Sequence, residues 1–522
     1  MQSRLFRALV LAAAASPFLP PALAFADNNF LNIIQDGDTH NGVVTQTGVG
    51  NQAGTTDLPV HQEGVFDDLI LTQSGDNNDI GTATPGRGLL QNGTASIDGS
   101  AANAATIVQN SNGNHIGELV QTTLGTHPIT GNTLAVTQDF GANGGPSGNN
   151  TIGSIEQVQD NGQSANFAAI VQTGARNWLA GLSQRTTSGD GDNRVTATFT
   201  GNDNGSAPGN SRALNGVGPL AVLARSSGAT ASSILQGDDL SGGAGNAIDL
   251  AVTGDYNQFG LTQLGTDNSV GGAIITGSSN SLGTYQSGDH NQITSGGIAG
   301  DSNDLGIRQV GSANLISAIL NWSSSDNSVG IGQFGQGNWA NLALKGNGGI
   351  VGLSQNGANH LATIQTVGNG NLVLAIQDYA GLNRSSGDAL HVSIIGDGNN
   401  GLAGNSAQSF TGPALQVALA APDIPRSLLV APDAGVLRPG SPRGLMPGVL
   451  LQWGEGNTIT IEVGAARTSD NNLFAVLQKG NGGAVTAHVN GNSNQFVAVQ
   501  QGNDDVAVIN QDGNGNIAAI AQ

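Results

Sequence analysis

The chain has 522 residues, 81 of them glycine, with no cysteine and with 37 acidic against 16 basic side chains. Only 10% of residues are charged, whereas ordinary globular domains carry about 25%, so the length does not read as several conventional domains. The net charge of −21 disfavours nucleic acid, whose binding rests on Lys and Arg, and the missing cysteine excludes disulfide staples and thiolate metal sites. Disorder fits poorly as well, because Val, Ile and Leu recur at strand spacing.

Residues 1–26 read as a cleaved export signal. Arg4 and Arg7 precede the apolar run Ala8–Ala15, and Ala24-Phe25-Ala26 places small residues before a cut at Asp27. Pro17, Pro20 and Pro21 break the run, which is too short to span a membrane, and no later stretch looks transmembrane. Removing the two arginines takes the net charge from −21 to about −23. That charge keeps unassembled chains apart.

A seven-residue unit running from Asn to Gln, followed by a Gly-rich step, begins directly after the signal. In residues 27–184 it appears as Asn29–Gln35, Asn103–Gln109, Asn132–Gln138 and Asn166–Gln172, the last followed by Gly174 and Asn177. Residues 185–240 blur the pattern and contain Pro208 and Pro219; they read as an insertion, degenerate coils or a small cap. Residues 241–411 hold the longest array: Asn257–Gln263, Asn280–Gln286, Asn303–Gln309, Asn327–Gln333, Asn359–Gln365 and Asn371–Gln377. Ile275, Ile298 and Trp322 take the Gln slot of the half-units between them, and Gly265, Gly288, Gly311 and Gly335 mark the turns. Residues 412–448 carry seven of the sixteen prolines. They cannot be a run of central strands and read as a Pro-rich excursion or linker that lies back on the repeats through its apolar segments. The final array, 449–522, holds Asn472–Gln478, Asn494–Gln500, Gln511 and Asn516–Gln522, with turn glycines Gly480 and Gly513.

Parity gives the unit its physics. Six bonds separate Asn from Gln, an even number, so in a strand both face the side shared by the second and fourth residues after Asn. That face is Asn, apolar, apolar, Gln. Positions 478, 489, 500 and 511 recur every eleven residues, so one strand and its turn make half a coil. Two halves make a coil of about 22 residues in an all-β solenoid. A single coil cannot bury its own face, but stacked coils can, and each buried carboxamide then pairs with the amide of the next rung. The same ladders hold cross-β fibrils, so the repeat suits a monomeric solenoid and an end-stacked fibre equally.

Catalytic, cofactor and metal sites are not expected. The eight histidines are scattered without ligand spacing. Gly189-Asp190-Gly191-Asp192 and Gly396-Asp397-Gly398-Asn399 lack the nine-residue period of calcium coils, and their Asp side chains read as turn formers. No Walker pattern accompanies the glycines, and the four tryptophans read as packing residues. One surface feature stands out: Leu473, Leu477, Val497, Val499 and Ile517 make the second face of the last strands apolar too. That face is expected to be an uncovered association site driving self-assembly.

Units such as Asn166-Phe-Ala-Ala-Ile-Val-Gln172 with Gln172-Thr-Gly-Ala-Arg-Asn177, and Gln309-Val-Gly-Ser-Ala-Asn314, resemble the curlin repeat of bacterial curli fibre subunits. The resemblance covers about two thirds of the expected mature chain, which is several times longer than a usual subunit, lacks a regular Ser at the repeat start and adds the Pro-rich excursion. It implies an exported subunit forming a β-solenoid amyloid in the biofilm matrix, with a nucleating partner and an outer-membrane export pore. A monomeric secreted adhesin or spacer, or a β-helical polysaccharide-active enzyme, are the rival expectations.

Overall fold

The computed structural model describes residues 28–82, 87–93, 102–124, 131–140, 148–160, 164–187, 191–205, 227–237, 243–320, 324–378, 387–403, 406–407, 409–421 and 445–522. The expected export signal lies outside them. The chain divides into two compact units, one of Met1–Ser211, Ser232–Tyr256 and Leu264–Asp267, the other of Arg212–Ala231, Asn257–Gln263 and Asn268–Gln522.

Each unit is a β-solenoid whose chain alternates between two parallel sheets. In the first unit one sheet runs from Ile33–Asp38 through Val60–Val65, Leu89–Gly93, His115–Leu124, Thr151–Asp160 and Trp178–Thr186 to Ser233–Gln236. Its companion runs from Asn41–Thr47 through Asp67–Ser74, Asn103–Gln109, Asn132–Asp139, Asn166–Thr173 and Asn193–Thr200 to Ala247–Thr253. In the second unit Ser281–Asp289, Asp304–Ser312, Ser328–Gln336, Ile350–Ala358 and Leu372–Asp378 lead to the strands of the C-terminal array, ending at Ile517–Ala521. The opposing sheet runs from Ser269–Thr276 to Val506–Asp512. Strands stay in register: Gln286, Gln309, Gln333, Gln355 and Gln377 are successive partners.

The parity rule sets what is buried. Along Asp67–Ser74, Leu69, Leu71 and Gln73 are inside with no exposure, while Ile70 between them is 46% exposed. Like packs on like across rungs, as with the stacked rings of Phe474 and Phe496, 5.5 Å apart. Turn glycines work for two reasons. Gly174, Gly265, Gly288, Gly311, Gly335, Gly480 and Gly513 all have φ between 96° and 134°, which L side chains avoid. At Gly311, moreover, a Cβ would overlap the carbonyl oxygen of Gly335 on the next rung.

Four expectations are corrected or refined. Asn193–Thr200 is a full rung of the stack, with Phe199 in the Gln slot opposite Gln172, so the 185–240 region contains a degenerate coil; residues 206–226 lie outside the described ones. The slot opposite Ile298 is taken by Leu320, not by Trp322, which lies outside the described residues. A register shift between Ile293 and Ser295 absorbs a residue that simple counting missed. The unit expected at Asn359–Gln365 is His360–Thr366: His360 and Thr366 are buried, whereas Asn359 is a turn residue with φ 58° and Gln365 is exposed.

The largest correction concerns the outer face of the C-terminal strands. Part of the Pro-rich segment folds back as a helix, Gly412–Ala420, with Pro413 in its first turn, where the missing N–H costs nothing. The helix lies against Gln495–Gln500 and Ile517–Ala521. Phe410, Ala414, Ala418, Ala421 and Leu445 close over Leu473, Ala475, Leu477, Val497 and Val499 as one core. Leu477 and Val497 have no exposure at all. Leu473, Leu477, Val497 and Val499 of the expected open face are therefore already covered by the chain itself, and the hydrophobic effect there is satisfied internally, while Ile517 stays 41% exposed.

Candidate functional site

The amide ladders and the coil ends that interrupt them are the features with chemistry to offer. In the second unit Gln263 donates through Nε2 to Oε1 of Gln286 at 2.8 Å, Gln286 to Gln309 at 2.8 Å, Gln309 to Gln333 at 2.9 Å and Gln333 to Gln355 at 2.8 Å. The ladder goes on through Gln377, Gln452, Gln478, Gln500 and Gln522. The second amide hydrogen goes to a carbonyl across the same coil, for example from Gln286 to Ser269 at 3.0 Å. Both donors of each interior amide are thus used, in one direction along the stack.

Asparagines run the other way. Asn280 gives both its backbone N–H (3.0 Å) and Nδ2 (3.2 Å) to Oδ1 of Asn257. Asn303 does the same to Asn280, and Asn327 to Asn303. Asn371, Asn399, Asn472, Asn494 and Asn516 form the later stretch. The remaining Nδ2 hydrogen closes a turn, as from Asn494 to the Gly513 carbonyl at 2.8 Å. In the first unit Asn166 joins Asn132 at 2.9 Å, and Gln172 accepts from Gln138 at 2.7 Å. Each buried bond contributes about 1 kcal/mol net, and an orphaned partner costs about 1–3 kcal/mol.

Of the expected ladder residues, Gln511 departs from the pattern. Val489 occupies the rung before it, so its Oε1 has no hydrogen-bond partner, and Nε2 reaches only the Gln495 carbonyl at 3.0 Å. The second sheet of this unit in fact carries no glutamine ladder, because Ile275, Ile298, Leu320, Leu344, Thr366, Ile394 and Val463 fill the slot. Conversely, sequence reading missed Gln355, Gln452 and Asn399. Gln355 has its partners at the regular interval of 22 residues, whereas loops stretch the interval to 75 residues from Gln377 to Gln452 and to 73 from Asn399 to Asn472.

Apart from Asp505 at the C-terminal edge, the ionisable residues in the described asparagine slots form two pairs on successive rungs, both in the same order. His40 is followed by Asp67 with Nδ1 and Oδ2 3.6 Å apart, and His360 by Asp388 at 3.5 Å. All four side chains are essentially inaccessible. Burial pushes the Asp67 and Asp388 carboxyls up to about 7, against the lowering effect of bonds from Asn103 and Asn457. Burial also holds His360 down at about 4. His360 and Asp388 therefore sit neutral in the dry interior near pH 6.

Each unit has an open edge at which its stack is incomplete. Among the described residues no strand lies beyond Phe30–Thr47 at one edge or beyond Val506–Ala521 at the other. Phe30, Val43, Val506, Val508 and Ile517 are 40–61% exposed there, and the inward-facing Val44, Ala518 and Ile520 are only half buried. No protein-family model matches the chain, and no curated protein sequence matches it significantly.

Proposed function

We propose that this is an exported structural protein that assembles end to end into curli-like amyloid fibres of an extracellular matrix, supporting adhesion between cells and surfaces. The observation that carries the reading is the pair of open coil edges, each with unpaired strand backbone, exposed apolar side chains and ladder amides whose bonds are half made. An incoming copy completes those bonds by adding strands, which is templated growth. Secretion through the N-terminal signal, a nucleating subunit and an outer-membrane export pore belong to the same proposal and rest on the curlin-like repeats.

The purified chain from Asp27 onward is expected to bind thioflavin T over time and to give aligned fibres with a meridional reflection at about 4.7–4.8 Å. A chain that stays monomeric at high concentration, without that reflection, would instead be a solenoid spacer or adhesin.

A further inference from the structure

The two open edges differ in a way that specifies how copies meet. At the C-terminal edge the last two half-coils are Val506–Asp512 in one sheet and Ile517–Ala521 in the other. The next step of the chain path is the position over Val506–Asp512, because each half-coil steps across to the opposite sheet. At the other edge the chain starts with a half-coil, Phe30–Leu31 and Ile33–Asp38, then crosses to Asn41–Thr47.

We infer that copies join with a half-coil offset, so that the chain path continues across the junction. The first half-coil of the incoming copy then lies over Val506–Asp512, and its Asn41–Thr47 lies over Ile517–Ala521. This deepens the end-to-end reading and rests on it; the occupant of the open edge is a second copy of this chain.

The ladder groups match in this register. Gln511 and Gln522 each donate one amide hydrogen inside their own coil, to the carbonyls of Gln495 and Val506, and have the other left over. In the incoming copy Gln35 and Gln46 use their Nε2 on Gln62 and Gln73 at 2.7 Å, and their Oε1 atoms accept nothing among the described residues. Gln511 then pairs with Gln35, and Gln522 with Gln46, two donors on two acceptors in the direction every interior rung uses.

The asparagine slots match with internal precedents. Asn29 of the incoming copy comes over Asp505, whose Oδ2 has no hydrogen-bond partner. The same Asp-then-Asn step is bonded at Asp67–Asn103 (2.8 Å) and Asp388–Asn457 (2.8 Å). His40 comes over Asn516, as His360 comes over Asn338 with a bond of 3.1 Å. The junction then reads Asn516, His40, Asp67, repeating the interior run Asn338, His360, Asp388. Apolar groups follow: Leu31 and Ile33 cover Ala507 and Ile509, while Gly42 and Val44 cover Ala518 and Ile520.

A junction that sets Ile33–Asp38 over Ile517–Ala521 instead fits worse, because it leaves one half-coil missing over Val506–Asp512 and gives Gln511 no acceptor.

Because the chain has no cysteine, the register can be read with introduced pairs. In the offset junction residue 34 lies beside residue 510, and in the other it lies beside residue 521, each at about the 4.8 Å rung spacing, within disulfide reach. Fibres of Ile34→Cys/Asn510→Cys are expected to oxidise into covalent ladders on non-reducing gels, and fibres of Ile34→Cys/Ala521→Cys to remain monomeric. The opposite pattern, or no ladder from either pair in assembled fibres, overturns the offset while leaving assembly standing. Absence of fibres from the wild-type chain sinks the assembly reading itself, and the offset with it. If a cysteine variant does not assemble, mixed-label solid-state NMR on wild-type fibres decides: an intermolecular contact of Ile33 with Ile509 supports the offset junction, and one with Ile520 contradicts it.

Discussion

The interior of the second unit and its open C-terminal edge are built from the same repeat, yet they behave as different materials. Gln309 donates to Gln333, accepts from Gln286 and reaches a carbonyl across its coil. Gln522 accepts from Gln500 and donates to the Val506 carbonyl. A Cβ on Gly311 would run into the Gly335 carbonyl, whereas one on Gly513 meets nothing closer than 3.7 Å. Ile307 and Ile331 have no exposure, while Ile520, in the corresponding place on the last strand, is half buried. The lesson is that the value of a residue in this fold comes from the rung above as much as from its own coil. A repeat at the edge is chemically unfinished.

That contrast can be broken by substitution, beginning with the largest effect. Gly311→Ala forces both a disfavoured φ of 118° and a steric overlap, and is expected to lower stability by about 3 kcal/mol or more. Gly513→Ala, with φ 109° but open space, should cost only about 1 kcal/mol. Urea midpoints of the unassembled chain check both, and equal losses would erase the distinction. Next comes Gln309→Ala, which orphans a buried donor on Gln286 and an acceptor on Gln333 and leaves a cavity, for about 2–4 kcal/mol. Gln522→Ala should cost less than about 1 kcal/mol in the same assay.

The ionisable rung sharpens the comparison through pH. Asp388 has its folded carboxyl raised to about 7, above the unfolded value near 3.9, so the folded state holds the proton more tightly. Stability is therefore lost as pH rises from about 4 to about 7. His360, held at about 4 against about 6.5 unfolded, loses stability as pH falls below about 6.5. Asp388→Asn restores an amide to the slot, and should raise stability at pH 8 by on the order of 1–2 kcal/mol while changing little at pH 4. Melting temperatures of both proteins at the two pH values test this. The smallest effect is expected at the edge: Val508→Thr, at 61% exposure, should leave monomer stability within about 0.5 kcal/mol.

Much of this was legible beforehand because the two-residue period of a strand converts spacing into facing. Asn166–Gln172 and Asn494–Gln500 announce themselves by parity alone. What misled was residue identity taken without register. Asn359 and Gln365 carry the expected side chains one position before the true slots, His360 and Thr366, and one residue flips every side chain to the other face. Leu320 was hidden by the irregularity at Ile293, and Gln452 by a long excursion. The covering helix Gly412–Ala420 was not visible because prolines dominate its surroundings, and because what stabilises it is the apolar face of strands far along the chain. The His40–Asp67 and His360–Asp388 pairs could have been found by asking what occupies the asparagine slot on every rung.

Hydrogen exchange of the chain before and after assembly is the most direct check on growth by stacking of prefolded coils. The account predicts new protection confined to Phe30–Thr47 and Val506–Ala521, with Asp304–Asp378 protected equally in monomer and fibre. Edges that stay unprotected in the fibre, or an interior that becomes protected only on assembly, would contradict it.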